Sequence, residues 1–111
     1  MNRTIAEADW KLLRKLQPIA LARFCQRALD EIELTLNDAD KTSHERYLAI
    51  YELMGQRDGE LAETFDDLRR SNAFFHLARF QLHELLTEKE MAAFSDDARQ
   101  AVALFLECWK S

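Results

Sequence analysis

His44, Tyr47, Tyr51, Gly55, Asp58, Ala62 and Phe65 recur at steps of three or four, so on one helix they form a single row. An imidazole, two phenols and a carboxylate in line have two readings. If the row lines a cleft, Gly55 leaves space and His44 or Asp58 serves as a hydrogen-bonding or acid/base group for a small ligand, with Tyr47 and Tyr51 beside it. If it faces a core, the rings pack and their polar ends pair with one another, with backbone or with water, because unpaired buried polar groups are costly. A second patterned stretch lies at residues 74–86, where Phe74, Ala78, Leu82 and Leu85 cover one arc and Leu77 and Phe80 another. Only His76, Arg79 and His83 make a narrow polar stripe there. Such a helix is central in a bundle, or else Leu77 and Phe80 with the stripe His76, Arg79 and His83 form a contact side for a protein partner or a second copy.

Other chemistry finds no support in the spacing. Helical di-metal sites need Glu-x-x-His units, but Lys41, Ala73 and Phe80 stand three residues before the three histidines. No metal and no cofactor are expected. Cys25 and Cys108 sit among apolar residues outside any Cys-x-x-Cys pair, and are expected as buried, reduced thiols. No Gly-x-Ser-x-Gly elbow or phosphate-cradling loop occurs. A net charge of -5 argues against nucleic acid, which calls for a basic surface. No apolar run approaches membrane-spanning length and the start lacks the apolar core of a secretory signal, so a cytoplasmic protein without a membrane partner is expected. Charge is polarised along the chain: residues 1–27 hold six Lys/Arg against Glu7 and Asp9, or +4, leaving -9 for the remainder. That polarity either assists helix packing and solubility, or offers a basic face to an acidic partner or to head-to-tail self-association.

With 2 Gly and 1 Pro in 111 residues, tight turns are scarce and long helices are favoured. Thr-x-x-Glu occurs at Thr4, Thr42 and Thr87. In a capping box the Thr hydroxyl and the Glu carboxylate satisfy two orphaned amides reciprocally, so three helix starts are expected. The first helix is predicted at about 5–16, anchored by Trp10, Leu13 and Leu16, and Pro18 is read as opening a second one to Leu36. Its inner side follows Ala22, Cys25, Leu29, Ile32 and Leu36. After the polar loop 37–41, a helical pattern runs from Thr42 with Tyr47, Tyr51, Met54, Leu61, Phe65 and Leu68 on its apolar side. Gly55 and Gly59 are weak points, yet the apolar phase is unchanged across them, so the helix should continue, with room for a neighbour to approach. Unbroken from 43 to 86 it would be about 65 Å long at 1.5 Å per residue, so a bend or break is placed near Ser71-Asn72. A short helix to about Phe94 and a last one from Ser95, presenting Ala98, Val102, Phe105, Cys108 and Trp109 inward, complete the chain.

The sequence therefore predicts one all-α domain over 1–111: a compact bundle of four main helices plus a short fifth, with a bent or broken spine at about 43–86. No family motif is recognisable. The expected function is a non-enzymatic cytosolic protein–protein interaction module whose partner is another protein or a second copy of the chain. The alternative is a small-ligand-binding protein or minor enzyme using His44, Tyr47, Tyr51 and Asp58.

Overall fold

Two apolar arcs on one helix decide the architecture. In the computed structural model, which describes residues 4–110, Leu13, Leu16, Ala20 and Phe24 step along a single side of α1 (Glu7–Leu36) and are buried. Pro18 lies inside this helix and does not begin a new one, a correction to the sequence reading. A mid-helix proline costs about 3 kcal/mol, whereas each of three large buried side chains in phase across it contributes about 1.5–3 kcal/mol. Packing wins. Pro18 and Arg14, whose carbonyl loses its amide partner, are both exposed, so water can serve that carbonyl.

A polar loop returns the chain antiparallel to α1 as α2 (Ser43–Phe65), opened by the Thr42–Glu45 capping box and continuous through both glycines. Asp67, at φ 60, helps stop it, and a 3-10 turn at Arg70–Asn72 leads into α3 (Ala73–Leu82). The spine is thus broken between Phe65 and Ala73, a little earlier than expected at its start. α4 (Glu88–Ala92) follows the Thr87–Glu90 box, and α5 (Asp96–Lys110) is capped by Ser95, whose Oγ accepts from the Ala98 amide at 3.2 Å. The box at Thr4 does not close: α1 starts from Ala6 without a side-chain cap, and Glu7 pairs instead with Arg70. Among the described residues four longer helices and one short one result, since two expected helices merge into α1 while the spine divides into α2 and α3.

α3 runs through the middle of the head. Leu77, Ala78 and Phe80 are fully buried, Phe80 lies 5.1 Å from Phe65 between ring centroids, and α5 covers the far side through Ala98, Ala101 and Val102. The α3 C-terminus closes with Glu84 in the left-handed region at φ 53, the Leu85 amide donating to Phe80 O and the Glu84 amide to Gln81 O. Two arginines of α1 complete this end: Arg27 donates to the carbonyls of His83 and Glu84, and Arg23 to that of Leu85 and, through both nitrogens, to Glu90.

Those contacts make the fold sensitive to acid in two stages. Arg23's hydrogen bonds, then the Thr87 amide, pull the Glu90 carboxyl from its ordinary 4.5 to about 2. The fold binds that proton more weakly than the unfolded chain does, so the stabilisation is complete above about pH 4.5 and is lost as pH falls to about 2. His83 is pushed below its usual 6.5 by burial and then by Arg79, so its protonation opposes folding as pH drops below 6.5. Glu90→Gln is expected to lower stability by about 1–2 kcal/mol at pH 7, a charged pair still partly open to water. It should also shrink the stage below pH 4.5, to which Glu45 in the Thr42 capping box still contributes, while leaving the His83 stage, as read from urea midpoints between pH 7 and pH 2.5.

Candidate functional site

Beyond the head, α1 and α2 continue together as a two-helix arm. None of residues 25–63 is buried. The arm explains why the radius of gyration is 16.8 Å, against about 13 Å for a chain of this length packed as a sphere-like domain, and why the extents are 53 × 27 × 22 Å. Its seam is built from half-buried Ala28, Glu31 and Thr35 of α1 facing Ile50, Leu53 and Arg57 of α2. Arg57 holds the register, with Nη2 2.9 Å from Glu31 and Nη1 3.0 Å from Glu60, while Arg46 reaches the Leu36 carbonyl at 2.6 Å. These carboxylates raise the Arg57 pKa further, the hydrogen bond to Glu31 first.

The two sides of this arm differ. Arg27, Glu31, Arg57, Glu60 and His83 line one small polar cleft of about 250 Å³, which identifies the side turned toward the end of α3. On α1 the positions roughly a quarter-turn from the seam in the other direction are Leu21, Cys25, Leu29, Ile32 and Leu36; on α2 they are Tyr47, Tyr51, Met54 and Asp58. Antiparallel neighbours run in opposite senses, so equal rotations away from a shared seam bring both stripes to the same face. The face turned away from α3 is therefore apolar along both helices. Exposure there is high: 56% for Leu29, 52% for Leu36, 68% for Tyr47, 75% for Tyr51 and 56% for Met54.

This placement corrects several expectations. Ala22, Cys25, Leu29 and Leu36 are not the inner side of the second helical stretch, because α3 and α5 pack on the arc of Leu13 and Ala20 and leave the other arc to solvent. The row His44, Tyr47, Tyr51 and Asp58 is aligned along α2 as its spacing requires, but it lies on an open helix surface and lines neither a core, nor the polar cleft beside His83, nor the groove between α3 and α5. No atom comes within 4 Å of a Cβ built on Gly55 or Gly59, so no helix crosses closely there. Cys25 and Cys108 are exposed, not buried.

The contact side expected on α3 has moved as well. Leu77 and Phe80 are 0% exposed and His76 3%, so this surface is already covered within the chain. His76 Nδ1–H donates to the Thr64 carbonyl at 2.8 Å; Arg79 pairs with Glu63 at 3.3 Å, donates to His83 Nε2 at 3.2 Å and lies 5.8 Å from the Trp109 ring centroid. The polar stripe holds α3 against the end of α2 and against α5. Residue spacing does not show this, because its partners arrive only after the chain reverses at Asp67.

A larger groove of about 930 Å³ opens between the start of α3 and α5, walled by Phe74, Phe75, Leu104 and Phe105. It has the volume for a small apolar ligand. At its rim Arg70 is engaged by Glu7 and Asn72 by the backbone of Asp67 and Arg69, while Thr4 and Ser71 add two hydroxyls to an otherwise apolar lining. Among the described residues no group of three or more His, Cys, Asp or Glu could hold a metal ion, and no helix is long and apolar enough to cross a membrane.

Fold and surface together define a class of molecule: a small all-α head carrying an antiparallel helical hairpin with one open apolar face. Comparison of the chain with protein-family models, with curated proteins and with solved structures gives no match.

Proposed function

We propose that the protein is a non-enzymatic interaction module whose α1–α2 arm docks onto another protein surface through Leu29, Leu36, Tyr47, Tyr51 and Met54. The observation that supports this most is the exposure of two in-phase apolar stripes on the same face of one arm. A single exposed leucine is ordinary, but a contiguous apolar patch of several hundred Å² marks an interaction site. Tyrosine and methionine suit the role, the first giving large contact area at low entropic cost and the second adapting its shape to a partner. Two helices cannot cover such a face by themselves, since each already uses its seam on the other; a third or fourth helix laid against them can.

A photo-cross-linking residue at Tyr51, compared with one at Gln56 on the charged side of α2, tests this in cells of the native host. The expected result is a discrete protein adduct from position 51, absent from position 56 and lost when Leu29→Glu is added to a chain that retains its helical circular dichroism. Equal labelling from both positions, or adduct formation indifferent to Leu29→Glu, would overturn the reading.

A further inference from the structure

Charge along the open face selects its occupant. On α1, N-terminal to the apolar stripe and on the same side of the helix, stand exposed Lys11, Arg14 and Lys15, with Arg14 lying 5.9 Å from the Trp10 ring centroid. At the other end of the arm are Glu33, Asp38 and Asp40, the last two in the loop where the Asp40 amide donates to Asp38 Oδ1 at 3.1 Å. The face thus runs from basic, through apolar, to acidic. A surface with that order complements an antiparallel copy of itself.

Resting on the docking role just given to the arm, we propose that the partner is a second copy of this chain, the two arms packing face to face and antiparallel as a four-helix bundle. A two-fold axis across the arms, near Cys25, lays α1 over the partner's α1 in the opposite direction. Leu21 then meets the partner's Leu29, and Lys11, Arg14 and Lys15 lie opposite the partner's last α1 turn and the start of its acidic loop. Both ends are matched at once, because the symmetry repeats each contact. Turning the axis parallel to the arms would instead stack acidic tip on acidic tip. The overall net charge of -5 disfavours random contact between copies, so the local match at the two ends is what makes this one orientation preferred.

Size is consistent with an interface of this kind. Eighteen helical residues give a length of about 27 Å and two packed helices a width of roughly 20 Å, a projected footprint of about 500 Å² per copy. Two such footprints reach about 1,000 Å², the lower bound for a specific protein interface. Association should accordingly be concentration-dependent over the micromolar range and not permanent.

Sedimentation equilibrium of the full chain from about 1 to 300 µM tests the proposal. The expected result is a mass that rises from one chain to two and stops there, while a Leu29→Glu/Met54→Glu variant with unchanged helical circular dichroism stays at one. Orientation is read from charge exchange. A chain with Lys11→Glu, Arg14→Glu and Lys15→Glu, and another with Asp38→Lys and Asp40→Lys, should each associate at least ten-fold more weakly than the parent, and an equimolar mixture should recover association. Recovery should fade with added salt, as screened surface charges require. A chain that remains a monomer throughout overturns self-pairing, and a mixture no better than its components overturns the antiparallel order. Either result leaves the docking role standing if Tyr51 still gives a Leu29-dependent adduct with another protein; the loss of that adduct together with a strict monomer removes both.

Discussion

Replacing Phe80 by alanine lowers the stability of the fold by about 3–5 kcal/mol, the range for truncating a fully enclosed aromatic ring. The ring has 0% exposure and packs against Phe65, which in turn meets Phe24 edge-on at 6.0 Å, so its removal opens a void at the point where α1, α2 and α3 converge. Little can relax into that space. Leu77 and Ala78 beside it are themselves fully buried, and the backbone of α3 is fixed by the closure at Glu84 and by the arginines of α1. A urea titration reports the loss as a lower midpoint at unchanged slope. Leu29→Ala, on the open face, supplies the contrast: in dilute solution it should shift the midpoint by less than about 1 kcal/mol equivalent. If the two variants behaved alike, the division of this chain into an enclosed head and an open arm would be wrong.

That division also shows which parts of the fold are legible in the sequence. Capping is local, so Thr42 with Glu45 and Thr87 with Glu90 announce their helices correctly. Helical phase is local too, and the row from His44 to Asp58 does fall on one side of one helix. Coverage is not local. α1 carries two apolar arcs, Leu13–Leu16–Ala20–Phe24 and Leu21–Cys25–Leu29–Leu36, and periodicity alone treats both as core. Only the packing of α3 and α5 on the first arc leaves the second in water. The same blindness put His76, Arg79 and His83 at a partner's disposal, whereas the reversal after Phe65 turns them toward Thr64, Glu63 and Trp109.

The mismatch carries functional information of its own. A contiguous apolar stripe that stands open in the single chain is the kind of surface that marks a site of contact. Here the misplaced core residues of α1 and the misplaced row of α2 are neighbours on one face. On the docking role proposed for the arm, the tyrosine row is half of the contact surface, and its one carboxylate, Asp58, is a polar element within it.

The second large effect is expected at the opposite end of the head, where Asp9 ties the start of α1 to the start of α5. The residue is 5% exposed; its Oδ1 accepts from the Ser95 amide at 2.9 Å and Oδ2 from the Ser95 hydroxyl at 2.6 Å. The same Ser95 Oγ accepts the Ala98 amide, so one acidic residue orients the cap of a helix 86 positions away. No sequence pattern marks such a pair, since neither residue is unusual at a helix start. Asp9→Ala leaves the Ser95 amide without its acceptor and frees the hydroxyl to rotate away from Ala98. Loss of a buried charged acceptor and weakening of the cap together should cost about 2–3 kcal/mol. Asp9→Asn keeps one acceptor oxygen and should lose about half as much. Amide hydrogen exchange separates this from a general loosening: protection at the first turn of α5 should fall before that of Leu77 and Phe80 in α3. If Asp9→Ala changed the urea midpoint by less than about 0.5 kcal/mol equivalent, the carboxylate would be a bystander. Because Asp9 points to the side of α1 opposite Lys11, toward Ser95, the variant should, on the self-pairing proposed above, still associate whenever it is folded, which separates the stability of the head from the association of the arm.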